Sequence, residues 1–203
     1  MGVTGFLSAD ALILLGTMEL GKTLYLKNRR EWRRWLARNH TKEKEIWLVY
    51  YRKATGKPRI PYNDAVEEAL CFGWIDSIQK GIDAERFAQR FSPRKAGSNL
   101  SEANKERIRR LIREKKMTAA GLAAVAGTFD PQEKLKVSDD ILKALKADPA
   151  AWKNFLKLPE GYRNVRIGYI ESRRRHGKEM FQKSLQHFIK KTAANKRIGY
   201  IRT

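Results

Sequence analysis

The chain has 203 residues, 42% of them apolar, and 43 Lys and Arg against 22 Asp and Glu give it a formal charge of +21. The apolar share excludes a disordered polyelectrolyte and suffices for one domain or two small ones, while the charge requires anionic contacts: nucleic acid, phosphate ligands, an acidic protein or a membrane surface. A single cysteine, Cys71, excludes an intramolecular disulfide framework and a Cys-based zinc site, which makes the cytoplasm the default expectation.

The N-terminal stretch from Gly5 to Gly16 is apolar, yet no basic segment precedes it, it contains Asp10, and it is too short to span a bilayer. It reads as neither signal nor anchor, and no membrane insertion is expected. Residues 1–21 form an extension of open status, either an upstream addition or a short helix docking on the core.

From Lys22 the elements become legible. Leu24 and Leu26 alternate with Thr23 and Tyr25 as a short strand, and Asn28, three residues before Glu31, opens a helix whose aromatic stripe is Trp32, Trp35 and Leu36. Residues 45–53 (EIWLVYYRK) are β-branched and aromatic, which suits a central strand buried on both faces, and Thr55, Gly56 and Pro58 break it. A helix over about 63–72 turns Val66, Ala69 and Leu70 to one side and leaves Asp64, Glu67 and Glu68 facing out, favouring the helix dipole. Carboxylates at this spacing invite a metal or catalytic reading, but no His lies in the segment. Strand-like pieces at 77–82 and 86–91 follow, joined as a hairpin by Asp83 and Ala84.

Charge is arranged sharply here. Residues 60–85 carry a net charge of −5, whereas residues 86–116 carry +8. Residues 92–99 (SPRKAGSN) are a loop with Arg94 and Lys95, and Ser101 caps the next helix. Free amides at that helix start, together with Arg94, Ser98 and Asn99, make a competent anion site. Along the helix, Ile108, Leu111 and Ile112 face inward, while Lys105, Arg109, Arg113 and Lys116 line an outer stripe that can track phosphates or simply be solvated. No Walker or dinucleotide glycine pattern accompanies them. Beyond Gly127 the composition turns neutral, with six acids and six bases over residues 117–162, and Asp130, Pro131 and Gln132 read as a linker. Helices follow near 138–146, from Asp148 and Pro149 with Trp152, Phe155 and Leu156 on one face, near 162–174, and near 178–192. NVRIGYI at 164–170 echoes NKRIGYI at 195–201 without a repeat period.

Four stretches, TLYLKNRREWRRWL, AVEEALCFGWIDS, RFSPRKAGSNLSEANKERI and DPAAWKNFLKLPEGYRNVRIGYIESRRR, resemble the YdeI/OmpD-associated (bacteriocin-protection) family over about residues 22–191. Ser77 stands where that family usually has Gly, and Leu100 where it usually has Trp. The resemblance implies an α+β fold: a small antiparallel sheet with packed helices over residues 22–127, then an all-helical module over 128–203. It also implies a role in bacterial resistance to bacteriocins or cationic peptides. A porin association enters through the family's name alone, and no reaction is implied.

Within the motif, Trp74, Asp76, Arg90, Ser92, Arg94, Ser98, Asn99, Asn104 and Arg107 are the candidate ligand-binding residues. They are expected to converge on one cleft beside the helix begun by Ser101. Individually each has a structural reading: Trp74 in the core, Asp76 paired with Arg90 across the sheet, the Ser and Asn residues capping turns. His40, His176 and His187 lie outside the motif and no His neighbours Cys71 in sequence, so no nucleophile and base are paired. The expected function is a non-enzymatic binding protein that takes an anionic small molecule or an acidic protein surface, with no cofactor and no metal. The alternatives are a nonspecific nucleic-acid-binding basic protein, since no nucleic-acid module is recognisable, and an enzyme acting on an anionic substrate.

Overall fold

The computed structural model describes residues 20–199, so the apolar stretch 5–16 and nearly all of the extension lie outside the described residues. The first half holds a four-stranded sheet of order β1-β2-β4-β3, with β1 at Thr23–Tyr25, β2 at Ile46–Tyr51, β3 at Trp74–Gly81 and β4 at Arg86–Pro93. Helix α1 (Arg29–Asn39) starts where the Asn28 side chain accepts from the Glu31 amide at 3.0 Å. It carries the chain back across the sheet, so β1 lies parallel to β2, with Leu24 opposite Leu48. The sheet is therefore mixed, where the sequence suggests an antiparallel one; a helical crossover between neighbouring strands permits only the parallel pairing. The other two pairings are antiparallel and place β2 and β4 inside the sheet. Ile46, Trp47 and Leu48 are accordingly buried.

Helices α2 (Tyr62–Cys71), α3 (Glu102–Arg113) and α4 (Ala119–Val125) join α1 in a core with the sheet residues Leu48, Tyr50, Trp74 and Phe91. β3 begins three residues earlier than the sequence indicates. Gly73, at φ 76°, turns the chain from α2 directly into the sheet, where Trp74 pairs with Pro93. Each buried indole of this core finds an acceptor: Trp32 Nε1 donates to the Ala65 carbonyl and Trp74 Nε1 to the His40 carbonyl, both at 3.0 Å. Helix α4, seven residues of mostly Ala and Gly, has no periodic signal in the sequence. It is anchored by Thr118, whose hydroxyl donates to the Cys71 carbonyl at 2.6 Å and accepts from the Gly121 amide.

Helix α2 corrects an expectation. The apolar periodicity turns Glu67 and Glu68 outward, yet both are buried, 1% and 2% exposed. Arg29 of α1 reaches both carboxylates, Arg33 pairs with Glu68 at 2.7 Å, and Arg110 of α3 pairs with Glu67 at 2.5 Å. The reason is enclosure: α1, α3, α4 and β3 all pack on α2, so it has no outward face, and carboxylates on such a helix must meet cations.

The second half has its own core. Helices α5 (Asp139–Lys146), α6 (Pro149–Lys157), α7 (Glu160–Ser172) and α8 (Lys178–Ala193) bury Ile141, Leu145, Phe155, Ile167, Ile170 and Phe188 together. Leu156, read from the sequence as part of the inner face of α6, is 54% exposed, while Phe155 next to it is buried. The two halves meet where α3 crosses α7. At Gly168 a Cβ would land inside the Glu102 side chain, so only glycine permits this approach. Asn164 donates to Glu106 at 2.9 Å across the same seam. Arg109 donates to the carbonyls of Pro131 (3.1 Å) and Glu133 (2.6 Å), tying the linker to α3.

Candidate anion-binding site

The arginines of the motif occupy different chemical environments. Arg90 alternates with the buried Phe91 on β4, so it projects from the opposite face of the sheet, in register with Trp47. There its guanidinium holds Glu45 by two bonds, at 2.8 and 2.6 Å, and not Asp76; this pairing draws the Glu45 carboxyl below its usual range. Ser92 sits two residues on along the same face, opposite Ile75. Trp74 is 1% exposed and belongs to the core. An apolar residue leading a strand onto the helix-covered face of a sheet is enclosed by those helices, so the indole does not line an open cleft.

Three other candidates gather at the start of α2. The Tyr62 hydroxyl donates to Asp76 Oδ2 at 2.5 Å, and Arg107 bridges Asn104 Oδ1 (2.8 Å) and Asn63 Oδ1 (3.0 Å). Burial first, then the bond to Asp76, raises the Tyr62 phenol. Tyr50 stands nearby on β2 with its hydroxyl buried and without a hydrogen-bond partner; burial, then the neighbouring Tyr62 and Asp76, raises its phenol as well. Neither tyrosine stands out in the sequence, because Tyr50 falls within the apolar run of β2 and Tyr62 reads as part of the apolar side of α2.

Arg94 and its loop form the remaining group. The Arg94 amide donates to the Gly73 carbonyl at 2.9 Å, which fixes the start of the loop beside the end of α2. Its guanidinium makes one long bond, 3.5 Å to the Asn99 carbonyl, while its Nε and Nη2 are buried without any acceptor. Desolvation lowers its pKa, the mark of a cation removed from water without a counter-charge. The Ser98 hydroxyl donates to the Lys95 carbonyl at 2.7 Å, closing the turn. Ser101 then caps α3, accepting from the Asn104 amide at 3.3 Å.

Beside this helix start opens a cleft of about 690 Å³, walled on one side by residues 99–103 and on the other by Arg166, Tyr169 and Ser172 of α7 and Arg175 of the turn that follows it. Two carboxylates also line it. Glu102 is held by Lys105 at 3.0 Å, and Glu171 by Arg174 at 2.5 Å. Arg166 and Arg175 have no ion-pair partner among the described residues, and Arg166 Nε is buried without an acceptor. The cleft thus combines first-turn amides, which have no intrahelical partners, with uncompensated guanidinium groups. Sequence reasoning located one wall of it and missed the α7 wall; the signal available was the basic run over residues 163–203, net +10.

Among the described residues, three of the four cations on the outer stripe that runs along α3 to Lys116 are engaged within the protein, Arg113 being the exception. Lys105 is paired with Glu102 and Glu133, Arg109 with Glu106 and the linker carbonyls, and Lys116 with Glu114. Cys71 is buried, and burial pushes its thiol up to about 11, which makes it a poor nucleophile at neutral pH. Among the described residues no group of His, Cys, Asp and Glu has the arrangement of a metal site.

Residues 24–124 match a family model described as a domain of unknown function (DUF8412), and residues 134–195 match the family described as Bacteriocin-protection, YdeI or OmpD-Associated. No curated protein and no solved structure matches the chain. The first match contains the sheet and the Arg94 loop, the second contains α5 to α8, and the cleft draws one wall from each. The C-terminal segment of this chain, residues 134–195, is thus similar to the bacteriocin-protection, YdeI or OmpD-associated family.

Proposed function

We propose that the chain is a non-enzymatic binding protein of the bacteriocin-protection type that holds an anionic ligand, or an acidic patch of a partner, in the cleft between the start of α3 and α7. The observation that carries this reading is a cavity wide enough for a small molecule, with the capped start of α3 on one wall and Arg166 and Arg175, which have no ion-pair partner among the described residues, on the other; Arg94 supports that first wall from behind through the Asn99 carbonyl, with two buried nitrogens lacking acceptors. An oxyanion seated there would receive charge-assisted bonds from groups that otherwise have no partner, so its binding costs little protein rearrangement.

The test is calorimetric titration of the full chain with inorganic pyrophosphate and, separately, with a Glu-rich peptide. One-site saturable binding of one of them is expected, weakened at least tenfold (about 1.4 kcal/mol) by Arg94→Ala and by Arg175→Ala with melting temperature unchanged. Affinity indifferent to both substitutions sinks the reading. Binding only to unrelated DNA duplexes, steeply lost with salt, favours the nucleic-acid alternative. The biological arm is survival of bacteria expressing the chain under bacteriocin challenge, with Arg94→Ala expected to lose the protection.

A further inference from the structure

A second cavity adjoins the first along α7, with Arg166 and Tyr169 lining both. It measures about 360 Å³ and is enclosed by α7, α8 and the chain at Ile198, with Ile170, Phe188 and Ile198 providing apolar surface and Met180 at its margin. Ile198 is held in place from both ends of its peptide unit: the Tyr162 hydroxyl accepts from its amide at 2.7 Å and lies 3.4 Å from its carbonyl. The apolar wall is therefore part of the folded structure. Ile170 and Phe188 are at most 2% exposed, whereas Tyr169 and Met180, at 49% and 37%, leave apolar surface at the opening.

Apart from the Tyr169 phenol, every charged or titratable side chain that lines this cavity is basic: Arg166, Arg173, Lys183 and His187. Lys183 is paired outward with Glu179 at 2.7 Å, but no carboxylate pairs with Arg166 or Arg173 among the described residues. The Nε of both arginines is buried without an acceptor. The guanidinium carbons of Arg166 and Arg173 lie 5.4 Å from the ring centres of Tyr162 and Tyr169, so both cations are held against aromatic faces.

We infer that this pocket binds an amphipathic anion, a hydrocarbon group bearing one carboxylate, with the chain against Ile170, Phe188 and Ile198 and the head among Arg166, Arg173 and Lys183. A purely apolar ligand would leave the guanidinium nitrogens unsatisfied, and an inorganic anion would leave the apolar surface of Tyr169 and Met180 at the opening in water. An apolar group joined to an anionic head matches both. The volume falls at the small end of ligand cavities, ~300–1,000 Å³, which suits a single medium-length chain.

The probe is decanoate, titrated into the full chain by calorimetry beside decanol, inorganic phosphate and decyltrimethylammonium. Decanoate is expected to saturate one site, with decanol at least tenfold weaker and the other two showing no saturable binding. Met180→Glu places a like charge at the opening and suits the first turn of α8; Arg173→Gln removes one head contact. Each is expected to weaken decanoate at least tenfold with an unchanged melting curve, and Arg173→Lys to restore part of the loss. Arg94→Ala and Arg175→Ala, which disable the proposed cleft, should leave decanoate affinity unchanged, so the two sites stand or fall separately. Equal affinity for decanoate and decanol, absence of saturable decanoate binding, or insensitivity to both Met180→Glu and Arg173→Gln would overturn the inference.

Discussion

Two groups of arginines, one around α2 and one around α7, have opposite circumstances. Around α2, Arg29, Arg33 and Arg110 are matched by the buried carboxylates of Glu67 and Glu68, and Arg90 on the far side of the sheet is matched by Glu45. Around α7, Arg166, Arg173 and Arg175 have no ion-pair partner among the described residues. Charge around α2 is internal scaffolding, fixing three helices in one register. The unpaired arginines around α7, like Arg94 before α3, are available to something else, while Arg174 is held by Asp140 and Glu171. The overall +21 thus says little about binding until each cation is assigned its partner.

The comparison is broken most directly by removing one side of the scaffold. Glu67→Ala removes the buried carboxylate shared by Arg29 and Arg110, leaving Arg29 to Asp64 and Glu68 and Arg110 to the more exposed Glu114, and its expected cost is ~3–5 kcal/mol in chemical denaturation. Arg173→Gln, in the second half, should change stability by less than ~0.5 kcal/mol. Equal costs for the two substitutions would erase the distinction between the two groups. A smaller effect is expected at the seam: Gly168→Ala forces a methyl into the space of Glu102, at ~1–3 kcal/mol. The same denaturation measurement reads it, and a neutral result would show that α3 and α7 can separate without loss.

The smallest effect concerns pH. Glu45, Glu114, Asp140 and Glu171 all titrate below their ordinary values, Glu114 at about 2 through its bonds to Lys116 and Arg110. A carboxyl whose folded value is depressed contributes stability above its unfolded value, near 4, and loses it as pH falls through the folded value. Melting temperature should therefore hold level from pH 7 to about 5 and decline toward pH 2. A melting temperature that stays level or rises between pH 5 and pH 2 would mean these pairs contribute nothing.

How much of the fold and site was legible in the sequence differs by feature. Strands β2 and β4, the Asn28 and Ser101 caps, and the helices of the second half follow from period, capping and turn chemistry, all of which are local. Mixed pairing of β1, the burial of Glu67 and Glu68, and the existence of α4 are not, because each depends on what lies across the fold. Period alone cannot distinguish a solvated carboxylate from one facing an arginine 38 residues away, as Glu67 faces Arg29. Among the candidate site residues, Arg94, Ser98 and Asn99 lie together on one loop as adjacency in the chain dictates, and Asn104 meets Arg107 at a helical spacing. Trp74 and Arg90 diverge because alternation along a strand sends neighbours to opposite faces, and a hairpin register set partly by the irregularity between Asp76 and Gln79 is not readable from composition.

The clamp that Arg109 places on the carbonyls of Pro131 and Glu133 has a consequence for how the chain can be cut. Residues 125–133 lie between the two family matches and contain Gly127 and Pro131, the composition at which a protease would ordinarily cleave a chain between domains. A backbone held by a guanidinium against a helix does not readily extend into a protease's active site. If it is nicked there, Asn164 on Glu106 and the packing at Gly168 still join the pieces. Limited digestion should therefore be slow over residues 125–133, and any two fragments it does release on a denaturing gel should travel as a single particle in a sizing column.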